Sequence, residues 1–245
     1  MKLVYEPEDG NVDTTLFLVG KGLTYDTGGA DIKTGGNMCG MNRDKCGAAF
    51  VAGFFKTLAL LKPKGLKVYG TLCLTRNNVG EECYVSDEIL TARSKKRVLV
   101  NNTDAEGRMA MADLLCEAKE MAVNEKNPQL FTIATLTGHA IMCYGSNYSA
   151  IMSNGPAARQ MVDRKLFEAG NRIGDPYEIS LLRKEDYKKH TSERPSQDIL
   201  QIGADAKASF RGHQGAAAFL VMASGLDNVT LLYFLILLLV LNSRI

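Results

Sequence analysis

Apolar positions along the chain follow two periodicities. Continuous runs at residues 15–19, 68–74, 98–101 and 130–136 are strand-like, while stretches near 47–61, 107–122, 157–169 and 214–224 repeat apolar residues at helical spacing. Their alternation predicts βαβ units and hence an α/β fold, a mostly parallel or mixed sheet sandwiched by helices. Ligands in such sheets gather beyond the carboxyl ends of the strands. Polar residues collect at those ends: Lys21 and Asp26 after the first run, Asp104, Glu106 and Arg108 after the third, and Thr135, Leu136 and Gly138 closing the fourth. The helix near Gly47 opens on small residues that let it lie close to the sheet. Asp44 precedes it, where the helix dipole favours a carboxylate.

Residues 171–213 are rich in charge and read as exposed surface with short helices. No Pro/Gly/Ser-rich linker interrupts the chain, so residues 1–228 read as one domain. The end is different in kind. Residues 229–241 are 13 almost purely apolar positions, which as a helix would reach only about 20 Å against a hydrocarbon core of roughly 30 Å. Residues 229–245 are therefore read as an apolar tail outside the domain, with a membrane anchor as the alternative.

Composition narrows the functions. Lys+Arg 29 against Asp+Glu 27 gives a net charge of +2, no electrostatic footprint for nucleic acid. Six cysteines match neither a metal knuckle nor a compact disulfide framework, so reduced thiols and a cytoplasmic location are expected. The first residues lack the apolar stretch of a secretory signal. The three histidines show no i,i+4 pairing with one another, so a metal site would have to be oxygen-rich.

The densest chemistry lies at residues 102–108, NTDAEGR, with two carboxylates and a guanidinium in about one turn. Acidic side chains this close require a neutralising cation. Upstream, Gly-rich sequence supplies Lys21, Asp26, Lys33 and Asp44. Singly, each has a plainer explanation: a turn or cap for an aspartate, a solvated surface group for a lysine, a surface pair for Arg108. Only the ordered set argues for a site. Met41 is equally well explained as core filler or pocket wall, and the histidines and cysteines as ordinary structural residues.

The segments VGKGLTYDTGGADIK, NMCGMNRDKCGAA, NNTDAEGRMAMADLL and TIATLTG, in this order, resemble the cytosol (leucyl) aminopeptidase family of two-metal exopeptidases over about residues 14–225. The resemblance implies an enzyme that hydrolyses the N-terminal residue from small peptides. It implies two divalent ions, Zn²⁺ or Mn²⁺, one held by Lys21, Asp26, Asp44 and Glu106, the other by Asp26, Asp104 and Glu106 with the Asp104 carbonyl. It further implies that Lys33 polarises the scissile carbonyl, that Arg108 holds a bicarbonate acting as general base, and that Asn102, Met41, Thr135, Leu136 and Gly138 line the substrate pocket. A homo-hexamer is the implied assembly. The chain is about half the length usual in the family and carries Asp31 two positions before Lys33, where a charge pair would perturb that lysine. An inactive metal-binding homologue therefore stays open as the alternative.

Overall fold

The computed structural model describes residues 1–203, 210–229 and 233–238. Strands β1 (Lys2–Tyr5), β2 (Val12–Asp26) and β3 (Gly65–Asn77) form one half of a seven-stranded sheet. β4 (Ile89–Thr91) and β5 (Arg97–Leu99) leave it for a small second sheet. β6 (Pro128–Ala134), β7 (Ser149–Ser153) and β8 (Tyr177–Ile179) return to the first sheet, β9 (Ile199–Leu200) completes the small one, and β10 (Tyr233–Leu238) rejoins the large one. The large sheet runs β1-β3-β2-β6-β10-β7-β8. Its middle pairs, β3–β2, β2–β6 and β6–β10, are parallel, whereas β1–β3 and β10–β7 are antiparallel. It is thus the mixed α/β sheet expected from the apolar pattern.

The helices are α1 (Cys46–Leu61), α2 (Glu106–Ala122), α3 (His139–Tyr144), α4 (Gly155–Arg159), α5 (Val162–Ile173), α6 (Lys184–Lys188) and α7 (Gly212–Ala223). Side-chain alternation along the strands divides the core between two layers. Phe17, Val19, Phe234 and Ile236 pack with Met111 and Leu115 of α2 and Phe219 of α7. Leu18, Leu235 and Leu237 face the other way, onto Val51 and Leu58 of α1. The seat of α1 is unusually close. A Cβ added to Gly20 would lie 2.5 Å from the Gly47 carbonyl oxygen, and one added to Gly47 would lie 2.0 Å from that of Ile133.

Four expectations need correction. Residues 233–238, read as part of an apolar tail, are an inner strand between β6 and β7, because a strand covered on both faces is apolar at every position rather than at alternate ones. The remainder, residues 230–232 and 239–245, lies outside the described residues. Residues 98–101 do not join the large sheet: β5 pairs with β4 and β9 instead. The helix expected over 157–169 is two helices, broken at Met161, whose φ of 53° a continuous helix cannot accommodate. The charged stretch 171–213 is not uniformly surface: Asp186, His190, Gln201 and His213 are all buried, each with hydrogen-bond partners that offset desolvation. Among the described residues no helix is long and apolar enough to cross a membrane.

Burial gives His190 a measurable consequence. Its Nδ1 and Nε2 lie 2.8 Å from the carbonyls of Leu200 and Gly215, and a neutral ring donates to only one of them. Desolvation, with help from the nearby Arg108 guanidinium, outweighs these acceptors and lowers the ring from its ordinary 6.5 to about 4. The unfolded chain therefore takes up a proton that the folded one refuses as pH falls from 6.5 to 4, and stability drops over that window by up to ~3 kcal/mol. Urea melts across this range should show the loss in the native chain and a flatter dependence for His190→Asn. A slope of opposite sign would mean that the ring is doubly protonated in the fold.

Candidate metal centre

Loops at the carboxyl ends of β2, β5 and β6 bring the candidate residues together. Lys21 lies inside β2 between two glycines, and Asp26 ends that strand. Asp44 follows a short 3-10 turn, Met41–Arg43, just ahead of α1, where its carbonyl accepts from Leu23 N at 3.1 Å. A second 3-10 turn, Thr103–Ala105, carries Asp104, and Glu106 opens α2. Gly107 must lack a side chain because a Cβ there would lie 2.2 Å from Cε of Lys21.

Two ammonium groups knit four carboxylates. Lys21 Nζ contacts Asp44 at 2.7 and 2.8 Å, Glu106 Oε1 at 2.9 Å, and donates to the Thr135 carbonyl at 3.0 Å. Lys33 Nζ reaches Asp26 Oδ2 at 3.0 Å and also pairs with Asp104 Oδ1. Two formal negative charges remain uncompensated within this group. Lys21, Asp26, Asp44 and Glu106 are each at most 5% exposed, so water screens them little. Carboxylate oxygens of Asp26, Asp44 and Glu106 all lie within 4.8 Å of one another, close enough to share a cation.

Protonation equilibria register the crowding. Burial, opposed by Lys21 and reinforced by Glu106, raises the Asp44 carboxyl to about 6. Burial likewise raises Asp104 against the pull of Lys33. For Lys21 burial acts to lower the pKa, yet Glu106 and Asp44 outweigh it and keep the ammonium above its usual range. Neutral hydrogen bonds hold the frame: Asp26 Oδ1 accepts from Gly28 N at 2.9 Å and Asn77 Nδ2 at 2.8 Å, and Asp44 Oδ1 from Thr135 Oγ1 at 2.7 Å.

Asp31 does not join the cluster as a partner of Lys33. Its Oδ2 accepts from Thr103 N at 2.7 Å and Ser86 Oγ at 3.0 Å, which ties the loop carrying Lys33 to the turn carrying Asp104. Of the expected pocket residues, Met41, Thr135, Leu136 and Gly138 line a cavity of about 210 Å³ with Lys21, Asp26, Lys33, Asp44 and Asp104. Asn102 does not: its side chain accepts from Asp104 N at 2.8 Å and so shapes the turn rather than the pocket. Glu106 is not among the residues that line this cavity, although its Oε1 pairs with Lys21 Nζ at the cavity wall.

Arg108 stands apart from the lysines. It is buried, donates Nη1 to the Gln201 carbonyl at 3.1 Å and lies 5.9 Å over the Phe219 ring. Among the described residues its Nε has no partner, and burial, only partly offset by Glu106, lowers the guanidinium to about 10. With Asp104 it lines a second cavity of about 790 Å³, which shares Asp104, Thr137 and Gly138 with the first. A second group of potential ligands, His139, Cys143 and His213, gathers where α3 meets α7, and of the three His139 lines this larger cavity. The i,i+4 relation of His139 to Cys143 is its signal in the sequence.

Known proteins resemble this chain in both sequence and fold. The sequence model of the cytosol aminopeptidase family, catalytic domain, matches residues 1–230. A Caenorhabditis elegans protein provisionally named an aminopeptidase is 51% identical over 221 residues, which make up 90% of this chain and 42% of that protein. The probable cytosol aminopeptidase of Thermosynechococcus vestitus is 38% identical over 168 residues, 69% of this chain and 32% of its own length. Leucyl aminopeptidase from Trypanosoma brucei, solved in complex with actinonin, superposes with a TM-score of 0.87 at 26% identity, covering 99% of this chain and 45% of that one. The apo enzyme from Trypanosoma cruzi gives 0.85 at 30% identity over 96% of this chain and 44% of that one. The chain thus spans less than half the length of these relatives. With the family model matching residues 1–230 and a relative 51% identical over 90% of its length, the chain belongs to the cytosol aminopeptidase family.

Proposed function

We propose that this chain carries a two-metal aminopeptidase centre that removes the N-terminal residue from small peptides in the cytoplasm. The observation that carries the reading is the excess of carboxylate over ammonium charge among buried groups, with three carboxylates clustered within 4.8 Å. Such a donor set fits hard or borderline divalent ions, Zn²⁺ or Mn²⁺. Lys21, Asp26, Asp44, Asp104 and Glu106 would hold them. Bound there, the ions supply Lewis acidity and make a water acidic enough to ionise near neutral pH.

The remaining work falls to the chain's own side chains. Lys21 would serve as a ligand in its neutral amine form, its proton released when a dication is held beside it. Lys33 keeps its proton, and at the cavity wall it directs positive charge at a scissile carbonyl. Arg108, buried and with no partner for its Nε–H among the described residues, is suited to hold an anion such as bicarbonate, which would supply a general base at that place. Met41 and Leu136 provide apolar wall for the first side chain of the substrate.

A centre that fixes the free α-amine measures one residue to the scissile bond. Leucyl amides with a free amine should therefore be hydrolysed in the presence of Mn²⁺ or Zn²⁺, and their N-acetylated forms should not. Equal turnover of both, or turnover unaffected by chelation, overturns the reading.

A further inference from the structure

His139, Cys143 and His213 form a second ligand cluster outside the acidic centre. One nitrogen from each histidine and the Cys143 sulfur all lie within 4.8 Å of one another. His139 and Cys143 share one face of α3 at i,i+4 spacing, and His213 sits in the first turn of α7. The two Nδ1 atoms are 2.7 Å apart, and the Cys143 Sγ is 3.6 Å from both ring nitrogens of His139. Two nitrogens and a sulfur around a tetrahedral ion stand about 3.3–3.6 Å apart, so the rings need part by only roughly half an ångström.

The surroundings are ordered around these groups. His213 Nε2 is engaged by Ser180 Oγ at 2.9 Å, which itself accepts from Gln214 Nε2 at 2.9 Å. Its Nδ1 is thereby directed at His139, the outer support that orients histidine ligands in metal sites. The start of α7 is pinned by a two-pronged pair, Arg211 to Asp186 at 2.7 Å through both nitrogens. A Cβ on Gly212 would come within 3.0 Å of His139, so the two helices meet here with no slack.

We propose that His139, Cys143 and His213 bind one thiophilic divalent cation of the Zn²⁺ class, bridging α3 to α7. Binding releases the Cys143 thiol proton to solvent and leaves a thiolate ligand. The acidic centre contains only oxygen and amine donors, so the thiolate gives this site the stronger preference for thiophilic over hard ions, while a borderline ion such as Zn²⁺ is accepted at both. Nothing here depends on the aminopeptidase reading.

Co²⁺ is the probe, because only thiolate ligation produces a sulfur-to-cobalt charge-transfer band in the near ultraviolet. Titration of the full chain should develop that band, and Zn²⁺ should bleach it while Mg²⁺ does not. Cys143 is exposed, so Cys143→Ser should fold normally and lose the band while keeping Co²⁺ at the acidic centre, and His139→Asn should weaken thiolate ligation at least tenfold. A native chain without the band, or a band that survives Cys143→Ser, overturns the proposal.

Discussion

Lys33→Ala is expected to lower kcat/KM on a free leucyl amide by roughly 10²–10³-fold while leaving divalent-cation binding intact. The lysine stands between Asp26 and Asp104 at the cavity wall, half-shielded from solvent, where one positive charge acts through a medium of low polarity. Losing a preorganised charge aimed at a developing oxyanion costs on the order of 10²–10³ in rate. The same loss raises the negative charge of the cluster, so calorimetry should find cation affinity no weaker than in the native chain. Glu106→Gln should behave differently, because it removes a buried carboxylate that Lys21 and the cluster share, and both turnover and cation binding should fall together. Native turnover in Lys33→Ala, or native affinity in Glu106→Gln, would sink the assignment of roles.

Ending the chain at residue 228 is expected to abolish cooperative folding. β10 is flanked by β6 and β7, so its loss leaves both with unpaired backbone in the middle of the sheet. It also removes Phe234, Leu235, Ile236 and Leu237, all buried, two in each apolar layer. At about 1.5–3 kcal/mol for each buried side chain, the loss rivals the 5–15 kcal/mol that separates a typical folded domain from its unfolded chain. Phe234→Ala is the graded version, with an expected cost of about 3–5 kcal/mol. Near-ultraviolet circular dichroism should show no sharp thermal transition for the shortened chain. A cooperative melt at the native temperature would mean that the strand is dispensable.

Much of this architecture was legible in the apolar pattern, and the reason is visible in particular elements. β2, β3, β6, α1, α2 and α7 are long, and their burial stamps a clear period on the sequence. β10 was hidden because a strand buried on both faces has no alternation, and a short apolar run reads equally as strand, helix or tail. The acidic cluster was legible as an ordered set of charges too costly to bury without purpose, and the structure gathers Lys21, Asp26, Lys33, Asp44, Asp104 and Glu106 at one place. Asn102 was not, since a side chain that caps its own turn two residues on has the same appearance in sequence as one facing a substrate. His190 and Asp186 were obscured by charged neighbours, their burial depending on partners ten to twenty-five residues away. The cluster of His139, Cys143 and His213 was hidden because its third member stands on α7, more than seventy residues along the chain from the pair on α3.

The seat of α1 on the sheet has a consequence for how this centre tolerates mutation. Gly20, Gly47 and Ile133 touch main chain to main chain, so the placement of Lys21 and Asp44 on either side of that contact is dictated by backbone atoms that every substitution elsewhere leaves in place. Drift in Val51, Leu58 or Leu235 can erode the melting temperature while the spacing of the ligands stays put. Durability and chemistry are thereby partly decoupled in this chain, and the two glycines are where they remain joined.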